Sequence, residues 1–445
     1  MNKFKNGNNR AYGTTEYPIS FILFIFCLIF SPPIIPKINL IFLLALYSVY
    51  QLITKHRKKV SEIVKLSGIK VFLKLFYPFI MYLILIMGIN IIVTGDVFYI
   101  NRLSVLYRVI LLIPAQFICI TYLIARGTEL KYSFNDYCQC FLYAGLIQAL
   151  IAILAFLFPP LQSFLIDIMA SNTGINVYFK ETAYSYGYTF RYFGFSATLL
   201  DTFGYGMGLL ASISLFLGFK SNSKFLLFVP ILLIPSLLNS RTGLIIFLVG
   251  FIFALFSNLF KINLTKQLKS FIAVILSIVF LYSLFNFLKV QSPSTYLWMS
   301  RGLSNFFGFL VGDNTQSYEI TNILFSDSFW ILPEGIHFFF GTGHTIFGMR
   351  ALLGISSDVG YVNQIWLVGI LGVILLYLPY ISMFFNVIRS GKNITEKLMV
   401  IFLVISFFIT MVKADLIGYN PGIFITFSLC FIMNYISQSK KNSTI

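Results

Sequence analysis

Apolar residues in this chain come in long runs separated mostly by short polar turns. Twelve runs approach the ~20 residues that carry a helix across a bilayer: 17–31, 38–54, 71–93, 104–125, 137–158, 198–219, 225–239, 242–260, 270–288, 361–385, 398–412 and 421–436. The pattern predicts an all-α polytopic membrane protein, one bundle of about twelve transmembrane helices over 1–445. Only two interruptions are long, 159–197 and 289–360, and both are expected on the outer face. No fixed-period repeat or low-complexity segment is visible. The first run follows Lys3, Lys5 and Arg10, as a signal peptide would. However, Ser31-Pro32-Pro33 is no small-x-small cleavage site and a second run follows at once, so the first reads as a retained span.

Composition agrees. Hydrophobic residues make up 58% and charged ones 11%, against roughly 45–50% and about 25% in soluble domains. The length that would suggest two or three soluble domains here describes a single bundle.

Charge then orients it. With both termini cytoplasmic, the inner segments hold 22 of the 32 basic residues and five of the 15 acidic ones, so the inner face carries the whole net charge of +17. That is the positive-inside asymmetry. The basic balance is thus a topology signal and an attraction to anionic lipid headgroups, with no nucleic-acid partner implied. The inner loops are too short for a nucleotide-binding domain, and no G-x-x-x-x-G-K-[ST] or Asp-x-Asp sequence occurs. The five cysteines lie in or beside spans and read as buried small hydrophobes.

The outward segments hold the candidate chemistry. In the first, Lys180-Glu181 is followed by tyrosines 184, 186, 188 and 192 around Arg191. The rings read either as an interfacial aromatic belt or as a sugar-binding surface, with Tyr188 and Tyr192 as candidates. Arg191 reads as a phosphate ligand, with Asp201 as a possible partner. Asn239-Ser240-Arg241-Thr242-Gly243 forms a tight outer turn. Arg241 either snorkels to headgroups or binds phosphate bidentately. Arg102 and Arg108 are weaker candidates of that kind.

The second outward segment begins with Tyr296–Phe307 at helical spacing, expected as an interfacial helix, and a further helix is expected over 317–331. Glu334 and His337 are spaced i, i+3, which alone does not make a metal site. Gly341-Thr-Gly343 follows no strand and is read as a turn that brings backbone close to something, not as a dinucleotide fingerprint. His344, Arg350 and Asp358 close the segment. Tyr361 and Asn363 open the next span, in which Gly369 and Gly372 are expected to be close-packing points between helices.

Three of these phrases resemble the bacterial O-antigen polymerase (Wzy) and O-antigen ligase superfamily. Asn239-Ser-Arg-Thr-Gly243 is similar to the family's Ser-Arg-x-Gly turn. Phe340-Gly-Thr-Gly343 is similar to its Phe-Gly-x-Gly phrase late in the large periplasmic loop. Asp358-Val-Gly-Tyr361-x-Asn363, with Gly369-Ile-Leu-Gly372, is similar to the start of its next span. Ligases tend to carry His-Asn-x-Tyr where this chain has Asp358-Val-Gly-Tyr361, so the polymerase branch is favoured.

The resemblance implies a GT-C-like membrane glycosyltransferase with no cofactor and no metal. It would move a growing undecaprenyl-pyrophosphate-linked glycan onto a lipid-linked repeat unit. Arg191, Arg241 and Arg350 would neutralise the pyrophosphate. Asp358 is the first choice of base, then His344, with Glu181 and Glu334 behind. Tyr188, Tyr192 and Tyr361 are the sugar-binding candidates. Membrane lipids and a chain-length regulator protein are the further partners implied. A ligase remains open, as does a flippase-type transporter, although transporters gather polar residues at the midplane, where Gln148, Pro230 and Pro235 are the main examples here.

Overall fold

The computed structural model describes residues 17–34, 38–94, 100–172, 194–196, 201–239, 242–259, 264–291, 293, 296–297, 300, 330–346, 355, 357, 359–391, 394–412 and 420–442. Among these there is no strand. In chain order come α1 (Ile19–Phe30), α2 (Leu40–Lys55), α3 (Arg57–Leu66), α4 (Ile69–Thr94), α5 (Ile100–Tyr107), a π-helical turn (Arg108–Leu112), α6 (Ile113–Glu129), α7 (Phe134–Leu157) and α8 (Pro159–Asn172). After them come α9 (Asp201–Lys220), a 3₁₀ turn (Ser223–Leu227), α10 (Phe228–Asn239), α11 (Thr242–Leu259), α12 (Leu264–Gln291), α13 (Ile336–Phe340), α14 (Gly360–Ser390), α15 (Ile394–Thr410) and α16 (Pro421–Asn442).

Each of the twelve apolar runs falls on a helix. Six helices are long and apolar enough to cross a membrane: Ile69–Ile89, Leu103–Glu129, Phe134–Leu157, Thr202–Lys220, Gly360–Ser390 and Pro421–Asn442. One side of α4 buries Phe72, Phe76, Phe79, Leu83 and Ile86, while the other exposes Leu73, Tyr77, Met81, Ile84 and Leu85. Water would not tolerate so continuous an apolar flank on a monomer, and lipid does. The chain is an all-helical polytopic membrane protein.

The core is aromatic at its centre. Phe72 of α4 lies 4.9 Å from Tyr380, 5.0 Å from Phe117 and 5.8 Å from Phe431, joining α4, α14, α6 and α16 through edge-on rings. Around α9 the packing is closer, because α9 and α11 meet through glycines. A Cβ on Gly243 would strike the carbonyl of Gly204 and the hydroxyl of Ser236, and one on Gly208 would strike the carbonyl of Gly243.

Several local expectations change. The first long interruption, 159–197, opens with α8, for which Pro159 and Pro160 at the first positions are suitable starters. Its sequence reads as a loop only because it follows a long apolar run. The helix expected at Tyr296–Phe307 and the one at 317–331 lie almost wholly outside the described residues. The helices also bury more polar side chains than the sparse midspan polarity suggested. Gln148, Gln364, Asn239 and Asn434 are all buried within helices.

Candidate functional site

The turn at Gly341-Thr-Gly343 meets α14 at a point where the helix is broken. Gly369 has φ 70° and ψ 172°, inside what is otherwise a 31-residue helix. Gly341, at φ +73°, lies against it. A Cβ there would sit 2.6 Å from the Gly369 nitrogen and 2.7 Å from that of Val368, and a Cβ on Gly369 would strike the carbonyl of Phe339. Two glycines in left-handed backbone are thus in mutual contact, which no side chain would permit.

Carbonyls beside the break are taken up by protein. Thr342 donates its N–H (2.6 Å) and its hydroxyl (3.0 Å) to the carbonyl of Trp366. Tyr82 of α4 donates its hydroxyl to the carbonyl of Val368 at 2.6 Å. Trp366 in turn donates its indole N–H to Ile331 at 2.8 Å. Non-helical backbone at membrane depth is tolerated when it is buried in protein in this way.

The start of α14 is stapled by Asn363. Its Oδ1 accepts from the Ile346 N–H at 3.0 Å, and its Nδ2 donates to the carbonyls of Ser357 (2.7 Å) and Val359 (3.1 Å). Gly360 donates its N–H to Val412, joining α14 to the end of α15. Tyr361 belongs to this frame: its hydroxyl donates to the carbonyl of Phe408 at 2.8 Å and its ring stacks on Tyr377. It is therefore a brace between helices, only partly exposed. His344, exposed, follows the Thr342 turn, with its N–H on the Thr342 hydroxyl. Glu334 and His337 are exposed on and before α13. Asp358 lies outside the described residues, between Ser357 and Val359, and Arg350 lies outside them too.

In the Asn-Ser-Arg-Thr-Gly phrase, Gly243 is held by the glycine contact of α11 on α9. Arg241 itself lies outside the described residues. Asn239, which ends α10, is fully buried, and among the described residues neither its Oδ1 nor its Nδ2 has a hydrogen-bond partner. Each such orphan costs about 1–3 kcal/mol, and native structures rarely keep one without a use. Asn239→Leu should raise the melting temperature of the detergent-purified protein while lowering its activity. A variant that melts lower than the parent would show that the amide is paired in the folded protein.

Within the 159–197 interruption, Gly194–Ser196 pack against the bundle. Gly194, at φ +61°, packs on the Gln148 side chain, whose Oε1 accepts from the Phe195 N–H at 3.4 Å. Gln148 stands nine residues before the end of α7, so this contact is roughly 13 Å below that end. Ser196 donates its hydroxyl to the carbonyl of Phe30, the last residue of α1, at 3.2 Å. Arg191, Tyr188, Tyr192 and Glu181 lie outside the described residues. The side chains of Asp201 and Arg102 are likewise undescribed, and Arg108 opens the π-helical turn.

The returning segment and the Asn-Ser-Arg-Thr-Gly turn come together through the first two turns of α9. Phe203 meets Phe30 at 6.2 Å, Gly204 and Gly208 meet Gly243, and Gly206 meets Pro421 at the start of α16. Two segments that carry candidate arginines are therefore anchored within two helical turns of each other. The structure does not bring Tyr361 into a comparable setting. Sequence reading missed Thr342, Tyr82 and the glycines of α9; Gly204-x-Gly-x-Gly208 was the available signal. A scan against protein-family models and searches of curated proteins and of solved structures found no match to this chain.

Proposed function

We propose that the chain is a polysaccharide polymerase of the Wzy type, working at the outer face of a bacterial cytoplasmic membrane. It would have twelve spans and both termini inside. The observation that carries the reading is that the segment following Arg191 and the turn bearing Arg241 both approach the first two turns of α9, one through Phe30 and the other through Gly243. In this reading an acceptor hydroxyl attacks the anomeric carbon of the growing glycan. The bond to undecaprenyl pyrophosphate breaks as the new glycosidic bond forms. Asp358 receives the hydroxyl proton, with His344 or Glu181 as the other groups able to do so, and arginines Arg191, Arg241 and Arg350 balance charge developing on the pyrophosphate. The donor is already activated, so the reaction asks for no nucleotide.

One observation favours a transporter instead, since broken helices often line transport sites. Here, however, the carbonyls of Trp366 and Val368 are occupied by Thr342 and Tyr82, which suits a structural break better than an ion site. Glycan ladders from a deletion strain separate the readings. Loss of a polymerase leaves a single-repeat product on the surface, loss of a ligase leaves lipid-linked polymer, and loss of a flippase leaves unexported units. Either of the last two results would overturn the polymerase.

A further inference from the structure

We infer that a groove between α1, α2 and α6 is a binding site for one anionic phospholipid, independent of the glycan chemistry. The groove has a volume of about 320 Å³, at the lower end of the ~300–1,000 Å³ typical of ligand pockets. Its lining is graded along the bundle. Cys27 of α1 and Leu44 of α2 form the deep, apolar part. Phe24, Tyr47 and Tyr122 follow as a wall of three rings, with centroids 5.0, 5.7 and 6.1 Å apart. Arg126, one turn from the end of α6, closes the mouth. An apolar channel leading to a guanidinium has the polarity order of a lipid with its acyl chain inward and its phosphate outward.

The charge around the mouth points to the same ligand. This is the end where α2 and α6 finish, and Lys55, Arg57, Lys58 and Lys59 are all exposed beside it. The acids at this end of the helices are Glu62, Glu129 and Asp136, so cations remain in excess. Glu129 pairs with one terminal nitrogen of Arg126, leaving other donors of the guanidinium fork for a phosphate. His56, buried at the foot of Tyr122, is held below its ordinary pKa by burial, so the positive charge at neutral pH comes from Lys and Arg. Leu23 and Tyr47 are each 46% exposed, so the groove opens sideways into lipid and a tail can enter from the membrane. By the positive-inside asymmetry the leaflet is the cytoplasmic one.

The test is native mass spectrometry of the full chain, released from nanodiscs of equimolar phosphatidylglycerol and phosphatidylcholine. One phosphatidylglycerol should be retained per chain, favoured about tenfold over phosphatidylcholine. Arg126→Gln should cut that retention about tenfold, the scale of one charge-assisted hydrogen bond. Leu44→Trp, which fills the channel and leaves the charge, should also abolish it, while Lys58→Gln should leave it intact. Melting temperatures of all three variants establish that they fold. Equal retention of the two lipids, or an equal loss with Lys58→Gln and Arg126→Gln, would reduce the site to diffuse surface attraction and overturn the inference. So would undiminished retention in Leu44→Trp, or displacement of the lipid by inorganic phosphate.

Discussion

Gly369→Ala should lower the melting temperature of the purified protein sharply and remove its activity, although Gly369 bears no reactive group. Its φ of 70° alone costs an L-residue about 1–2 kcal/mol. The added methyl would also strike the carbonyl of Phe339, and backbone cannot rotate aside as a side chain can. Overpacking of this kind costs a further ~1–3 kcal/mol. The total is a large fraction of the ~5–15 kcal/mol that holds a typical fold. Two other helical glycines serve as controls. Gly372→Ala meets the Cβ of Val368 at 2.7 Å and a ring carbon of Tyr82 at 2.8 Å, but no backbone carbonyl and no positive φ, so its effect should be milder. Gly88→Ala has nothing within 4 Å and should be neutral or slightly stabilising, as Gly→Ala in a helix usually is. Equal melting of the Gly369 variant and its parent would mean that the break is not held as described.

The second large effect is chemical. Arg241→Ala should abolish long-chain glycan while leaving protein level and single-repeat surface sugar intact. Removing one preorganised donor to developing charge typically costs about 10²–10³ in rate, enough to collapse a ladder that needs many successive transfers. Arg241→Lys should restore little, because an ammonium cannot grip pyrophosphate with a planar fork. Thr242 opens α11 and Gly243 packs on Gly204, so the helices on that side keep their contacts and the substitution should leave the fold undisturbed. A normal ladder from Arg241→Ala would remove the pyrophosphate role and with it much of the proposed site.

The helices were legible because apolar runs near bilayer length leave few alternatives, and every run has its helix. The break in α14 was not. Gly369-x-x-Gly372 has the spacing of a helix-packing motif, and what opens the helix at Gly369 is a turn 28 residues upstream. Gly341-Thr-Gly343 could be read as a close backbone approach, since two glycines at such a spacing serve little else, but its partner could not be named. The support on α9 was hidden for a related reason: Gly204, Gly206 and Gly208 lie in an apolar run and reveal their purpose only against Gly243 and Pro421. Asn239 offered a local signal, a polar residue at the end of a span, that passed as an ordinary helix terminus. Tyr361, chosen for its chemistry, turned out to be braced on Phe408, a long-range bond no spacing rule could suggest.

The bond between Ser196 and Phe30 also bears on how the protein is made. At 12 residues α1 is about 18 Å long, well short of the ~30 Å hydrocarbon layer, and its last carbonyl is capped from 166 residues away. At ~5–20 residues per second of synthesis that partner arrives roughly 8–33 s later. Helix α1 must therefore wait in the membrane with an open end, held by the translocon or by lipid and water, until the chain returns to close it.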